Sequence, residues 1–308
     1  MNSEHTCQIG TVGQKWSDKE KALWLEQQSV KRSYQEEVLD KLDTLKSAFS
    51  VIQYGSLNYE SKHYPLFAIK TSDWNDDNET ILVTGGVHGY ETSGVQGAIR
   101  FAATKAVTFS SKFNIVIAPC VSPWGYETIN RWNPDAIDPN RSFRTESPAG
   151  ECAQLMSYLS SLKLNFKAHF DLHETTDTDN STFRPELAAR DGIVQLNWSI
   201  PDGFYLVGDS ARPAAGFQKA IISSVEQVTH IAPPDEDGKL IDVMLEQWGV
   251  VNYPAREAGL CMGMTDSDFV TTTEVYPDSP KVDDENCILA QVAAVSGGLD
   301  YLQSLAES

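Results

Sequence analysis

The stretch Glu79–Phe101, ETILVTGGVHGYETSGVQGAIRF, decides the fold class of this chain of 308 residues. Its first half, ILVTGG, is a short apolar run bounded by polar residues and glycine, the composition of a strand buried on both faces. Its second half, TSGVQGAIRF, returns apolar residues at helical spacing. A buried strand passing through a glycine-bearing turn into a helix opens a βα unit, and the rhythm continues downstream. FNIVIAP (113–119) is a predicted strand and FKAHFDLH (166–173) another. Between them SPAGECAQLMSYLSSLKL (147–164) is a predicted helix, with Ser147 capping it and Pro148 at its first position. Strands alternating with helices at this interval imply an α/β fold of three α/β/α layers, its twisted central sheet mixed but largely parallel.

Working outward, residues 15–49 read as one or two helices. Ser17 and Glu20 form a capping box, and Leu23, Leu25, Val30, Val38, Leu39, Leu42 and Leu45 return at roughly helical spacing. From Ser50, SVIQYGSLNYESKHYPLFAIKTS reads as a hairpin. Beyond His173 the stretch from Thr175 to Pro201 is polar and irregular. It is followed by a short strand GFYLVGD (203–209), a helix AAGFQKAIISSVEQV (214–228), a Pro- and Asp-rich loop near Pro233, a strand DFVTTTEVYP (268–277) and a closing helix CILAQVAAVSGGLDYLQSL (287–305). No stretch has the Pro/Gly/Ser richness of a linker, so the organisation expected is a helical extension over 1–49 and one domain over 50–308.

With 24 basic against 43 acidic side chains the net charge is −19, which repels phosphate backbones and anionic membrane faces; neither nucleic acid nor membrane is an expected partner. The five cysteines, Cys7, Cys120, Cys152, Cys261 and Cys287, are scattered and form no C-x-x-C pair, so a disulfide framework and a cysteine metal site are both disfavoured and a reducing compartment fits. The N-terminus lacks a basic start followed by an apolar core, and no apolar run reaches the ~18 residues needed to span a bilayer. The expected location is cytoplasmic; a homo-oligomer is left open.

Open α/β sheets present functional loops at the carboxyl ends of their strands, and ILVTGG ends in His88-Gly89-Tyr90-Glu91. An imidazole nitrogen and a carboxylate oxygen three residues apart on a turn can converge on one zinc ion, with Gly85, Gly86 and Gly89 permitting the sharp bend. A bare H-x-x-E also serves as a helix-start cap. The second element weighs against that bland role: Asp171-Leu172-His173-Glu174 ends another predicted buried strand. His88, Glu91 and His173 then supply the three protein ligands usual for a catalytic zinc with an open water position. Of the other histidines, His5, His63 and His230 read as solvent-facing or structural and His169 as a packed core residue. His169, Asp171 and His173 project to one side of their strand, which makes Asp171 a candidate partner for a ligand. A second metal at His169, Asp171 or Glu174 has no support in the sequence.

Taken in order, His88-x-x-Glu91, Arg131-x-Asn133, Asn140-Arg141, Asp171-Leu172-His173 and a late strand bearing Glu274 resemble the zinc carboxypeptidase superfamily. SPWGYETINRWNPDAIDPNRSF (122–143) is similar to that family's segment ending in D-x-N-R-x-F, and GGVHGYETSGVQGAIRF to the bacterial subgroup that includes the rapid encystment phenotype carboxypeptidase. The resemblance implies a zinc metallopeptidase hydrolysing a C-terminal peptide bond with one zinc ion. Arg131 would hold the scissile carbonyl and its developing oxyanion. Arg141, with Asn140 beside it, would pair with the substrate's terminal carboxylate. Glu274 would be the general base that takes the proton of the attacking water and returns it to the leaving amine. Tyr253 is the candidate for the substrate-loop tyrosine by chain order, and the departing side chain's pocket is expected between Trp248 and Thr272.

The succinylglutamate desuccinylase and aspartoacylase branch resembles the same motifs and would hydrolyse a small N-acyl amino acid instead of a peptide. A non-catalytic module that recognises C-termini is the alternative of another class. The presence of every expected ligand and of the base weighs against it, and the absence of a G-x-S-x-G elbow weighs against serine esterase chemistry.

Overall fold

A computed structural model of the chain describes residues 7–59 and 62–307; His5 lies outside them. The N-terminal segment holds α1 (Asp18–Glu26), whose start is the expected capping box: Ser17 accepts from the Lys19 amide and its own amide donates to Glu20. Residues 27–33 leave the helix because the amides of Lys31 and Arg32 donate to the Glu127 carbonyl, at 2.7 and 3.2 Å, instead of back along the chain. Helix resumes after Ser33, whose Oγ accepts from the Glu36 amide at 3.1 Å, and passes through a π-turn (Gln35–Leu39) into α2 (Asp40–Leu45). The indole of Trp24 packs on Trp124 and Trp132, with ring centroids 6.1 and 5.6 Å apart.

The long antiparallel hairpin of β1 (Phe49–Tyr59) and β2 (Lys62–Thr71) comes next, as its alternation predicts, followed by β3 (Glu79–Gly85). Helix α3 (Thr92–Phe101) continues through a π-turn (Ala102–Ala106) into the short α4 (Val107–Phe109), then come β4 (Phe113–Ala118) and α5 (Pro123–Thr128). Helix α6 (Gly150–Leu162), β5 (Phe166–Glu174) and α7 (Arg184–Asp191) follow. The last part holds β6 (Tyr205–Asp209), α8 (Ala215–Val225), the small pair β7 (Lys239–Leu240) and β8 (Val243–Met244), β9 (Val250–Tyr253), β10 (Phe269–Val275) and α9 (Asp284–Ala306).

Eight strands form one mixed sheet in the order β1-β2-β4-β3-β5-β10-β6-β9. Its centre, β4-β3-β5-β10, is parallel; the hairpin at one edge and β6 near the other run antiparallel to their inner neighbours. Strand alternation makes the layers: Ile81, Val83, Phe170 and Leu172 join α8 and α9 side chains such as Phe217, Val295 and Leu299 in one core, while Leu82 and Val116 meet Leu155 and Leu159 of α6 in another. Burying each of these large side chains is worth roughly 1.5–3 kcal/mol. After β3 the chain forms β4 on one flank and β5 on the other. The crevice at the carboxyl end of β3 is therefore a topological switch point, where open α/β sheets bind ligands.

Three local expectations are corrected. Helix α6 begins at Gly150 and not at Pro148, because the Ser147 hydroxyl accepts from the Ala149 amide in a local turn and caps nothing in the helix. The stretch read as irregular contains a π-turn (Asp179–Phe183) and α7, bracketed by Pro185 near its start and Gly192 at φ 65° after its end. Val250–Tyr253, read without secondary structure, is the edge strand β9, parallel to β6.

Candidate metal centre

The first two candidate ligands sit on the turn between β3 and α3. Gly86 takes φ 60°, a conformation costly to other residues, and so turns the chain out of the strand. At Gly89 the need is space and not the bend expected from sequence: a Cβ there would lie 2.1 Å from the backbone of Gly125. Backbone thus packs on backbone beneath the turn and sets His88 and Glu91 facing inward, both buried. His173 arrives from β5, where pairing of Gly85 with Leu172 and of His173 with Glu274 draws three strand ends together.

These side chains meet. The imidazoles of His88 and His173 stand edge to face with centroids 4.9 Å apart. Nδ1 of His88 lies 2.7 Å from Oε1 of Glu91, and Nδ1 of His173 lies 2.7 Å from Oε2. Each far ring nitrogen faces a carboxylate: Nε2 of His88 is 3.0 Å from Asp138 Oδ1 and Nε2 of His173 is 2.8 Å from Asp171 Oδ2. With each Nε2–H donating to its aspartate, both Nδ1 atoms present lone pairs to the two oxygens of Glu91, and Glu91 Oε2 has no hydrogen-bond donor. Four acceptor atoms converging in a buried space call for a cation between them. Two oriented imidazoles and a carboxylate form a set that fits zinc.

The electrostatics agree. Burial alone would raise the pKa of Glu91, but His173 and His88 outweigh it and bring it to about 2. Burial opposes charge on His173, yet Asp171 and Glu91 lift its pKa well above the usual histidine value. Both directions say that positive charge is favoured at this point.

Behind His173 runs a second layer. Thr84 Oγ1 donates to Asp171 Oδ1 at 2.7 Å, lies 2.9 Å from His169 Nε2 and 3.4 Å from Cys261 Sγ. The chain His169–Thr84–Asp171–His173 fixes the ring and tautomer of His173. His169 is the packed core residue expected; burial, its largest influence, lowers its pKa to about 4.

In front of the cluster opens a cavity of about 460 Å³ lined by His88, Arg131, Asn140, Arg141, Glu274 and Tyr253 among others. Arg131 donates from Nε to Asp138 at 3.2 Å and from Nη1 to Tyr90 Oη at 3.2 Å, and its guanidinium lies 4.1 Å from the centre of the Phe183 ring. Asn140 Oδ1 accepts from the Cys261 amide at 2.8 Å, leaving its NH₂ as the group a ligand can use. Arg141 donates to the Asn140 carbonyl at 2.6 Å and pairs with no carboxylate among the described residues. Glu274 Oε2 accepts from Thr175 Oγ1 at 3.0 Å; burial first, then Glu91 and Asp179, push its pKa to about 8 against the pull of His173. Tyr253 ends β9 at the cavity wall. The wall includes Pro254, Ala258, Leu260 and Thr272 from the expected interval, but also Tyr205, Val207 and Ile241 from outside it.

Sequence reasoning missed four contributors. Asp138 heads the DPNRSF run whose Asn and Arg drew attention; Thr84 is an unremarked strand residue; Asp179 and Arg184 lie in the misread segment and line the cavity. A larger hollow of about 560 Å³ opens at the opposite end of the parallel strands, lined by Glu79, Phe166, Met264 and Asp268. It holds no comparable convergence of donors.

The Succinylglutamate desuccinylase/Aspartoacylase catalytic domain matches residues 77–196, an interval that includes His88, Glu91 and His173 and stops before Glu274. Among solved structures, a provisionally named metallopeptidase from Shewanella amazonensis SB2B superposes with TM-score 0.64 at 17% identity, over 89% of this chain and 98% of that one. The fold is carboxypeptidase-like. A metallo-carboxypeptidase from Burkholderia cenocepacia gives TM-score 0.56 at 14% identity over 94% of this chain and 70% of that one. Bovine thrombin-activatable fibrinolysis inhibitor, solved with tick carboxypeptidase inhibitor, gives 0.56 at 13% over 95% and 98%. No curated protein sequence matches the chain. The carboxypeptidase fold and the catalytic-domain match together meet the resemblance that the motifs carry. Among the described residues no helix is long and apolar enough to cross a membrane.

Proposed function

We propose that the protein is a zinc-dependent carboxypeptidase holding one zinc ion through His88, Glu91 and His173. The observation that carries this reading is that His88 of that cluster lines the same cavity as Arg131, the Asn140–Arg141 pair and Glu274. Zinc, when bound, supplies a Lewis acid that polarises a carbonyl and brings the pKa of a water down to about 7.

The protein's own groups divide the remaining work. Arg141, a cation paired with no carboxylate among the described residues, takes the substrate's terminal carboxylate through its planar fork, with the Asn140 amide alongside. Arg131 stays charged against burial because Asp138, Tyr90 and Asp179 surround it; fixed in place, it stabilises the oxyanion that develops on the scissile carbonyl. Glu274 removes a proton from the attacking water and passes it to the leaving amine, and the Thr175 hydroxyl holds its carboxylate for that transfer. Apolar wall residues such as Val207, Ile241 and Leu260 exclude water around these charges. Five free cysteines suit a reducing, cytoplasmic setting.

The match over residues 77–196 favours one second reading, hydrolysis of a small N-acyl amino acid by the same groups. Assaying peptides with varied C-termini beside N-acyl amino acids separates the two. Release of C-terminal amino acids from peptides is the expected result; deacylation with no peptide trimming overturns it.

A further inference from the structure

We infer that Arg32, in the non-helical segment between α1 and α2, is a positioning residue for the metal. Its guanidinium reaches three places on two distant segments: Nη2 donates to the Gly89 carbonyl at 2.7 Å, Nη1 to Thr92 Oγ1 at 2.7 Å, and Nε to the Tyr126 carbonyl at 2.5 Å. Its Cζ lies 3.5 Å from the centre of the Tyr126 ring. Gly89 and Thr92 are the residues that follow His88 and Glu91. Arg32 therefore grips the ligand turn immediately after each of its two ligands.

The turn needs such a grip. Between β3 and α3 the first half of the turn is held by Ser122, whose amide donates to the Gly86 carbonyl at 2.9 Å and whose hydroxyl donates to the Val87 carbonyl at 2.7 Å, while around the ligands the backbone bonds are few: the Tyr90 amide donates to the Asn130 carbonyl at 3.1 Å and the Glu91 amide to the His88 carbonyl at 3.3 Å. From one side Glu174 accepts from the amides of Thr92 and Ser93, at 3.1 and 2.5 Å, and fixes the start of α3. Arg32 closes the other side. The segment that carries it is itself anchored, by the Lys31 and Arg32 amides on the Glu127 carbonyl and by the Tyr34 amide on Glu127 Oε1 at 3.1 Å. All three acceptors of the guanidinium are neutral, so the interaction depends on the direction of its N–H groups more than on charge. Lysine, whose three donors share one nitrogen, cannot reproduce the planar fork that sets three separate nitrogens against these acceptors. The N-terminal segment is on this account a working part of the metal site and not an appendage.

This inference rests on the metal reading of the cluster. The test is the zinc dissociation constant of the full-length chain, by competition with a chelator, for wild type, Arg32→Met and Arg32→Lys, with the melting temperature of each metal-free protein measured alongside. Both variants are expected to fold and to bind zinc about 10- to 100-fold more weakly, the usual worth of groups that orient metal ligands. Arg32→Lys keeps the charge and the stem and serves alone should Arg32→Met fail to fold. A lower melting temperature with zinc affinity unchanged in Arg32→Lys gives Arg32 a purely structural role and overturns the inference while leaving the metal site intact. Wild type that binds no zinc removes the metal reading and this inference with it.

Discussion

Two clusters of nearly the same composition lie next to each other, each taking a histidine from β5. One is His88, Glu91 and His173; the other is His169, Asp171 and Cys261; in each the donor atoms lie within 4.8 Å of one another and every residue is buried. They differ in what occupies the middle. In the second, the Thr84 hydroxyl sits 2.7 Å from Asp171, 2.9 Å from His169 and 3.4 Å from Cys261, and so stands as a hydrogen-bonding group between all three. In the first, the aspartates hold the rings from behind and four acceptor atoms face one another with no donor between them. Residue types alone do not make a metal site; what makes one is lone pairs left pointing at a common centre. The first cluster also reaches, through His88, the cavity that Arg141 and Glu274 line, whereas the second stands behind it.

This contrast predicts two kinds of damage, on turnover from the front and on metal retention from the back. The largest effect is expected at Glu274, on the cavity side. Glu274→Gln keeps zinc but lowers kcat by about 10²- to 10⁴-fold, the share of proton transfer. Metal content and steady-state rates check this together, and a near-normal rate removes Glu274 from the mechanism. Its pKa is raised to about 8, and a base works only when deprotonated, so kcat/KM should climb with pH along its acid limb. Positive charge at the first cluster favours the carboxylate and moves that limb below 8. The limb should vanish in Glu274→Gln.

Arg141→Ala, also at the front, should raise KM for peptides with a free C-terminus by about 10- to 100-fold, as losing hydrogen bonds to a charged group implies. Amidated peptides should feel it far less, and equal effects on both contradict the carboxylate role. At the back, Asp138→Asn and Thr84→Val should each weaken zinc binding by about 10- to 100-fold with a smaller change in kcat at saturating metal. A zinc titration of these variants that superposes on wild type would show that Asp138 and Thr84 do not orient the rings. The smallest effect is expected at Cys261→Ser, which keeps a small polar group beside Thr84; a large loss of zinc there would break the contrast by making the second cluster a ligand set.

Much of this was legible from the chain alone because it rests on local patterns. A buried strand ending in glycine and H-x-x-E, and another ending in D-L-H, place their candidate ligands at strand ends wherever the sheet is built. The capping box at Ser17 is equally local. What escaped reading depends on partners distant in sequence or on weak signals. Nothing near Arg32 announces that its guanidinium meets Gly89, and nothing near Thr84 announces His169. Asp138 looks like one more acidic loop residue until the fold brings it to His88. Helix α7 did leave a trace, in Pro185 and Gly192, which the polarity of its surroundings obscured. Strand β9 is only Val250–Tyr253, too short for alternation to register.

The central claim is that the first cluster takes a metal ion and the second does not. Zinc analysis of the purified wild type beside His173→Asn and His169→Asn tests it most directly. The account predicts one zinc per chain in wild type and in His169→Asn, and none retained by His173→Asn. Two zinc ions per wild-type chain, or a full complement in His173→Asn, would contradict it.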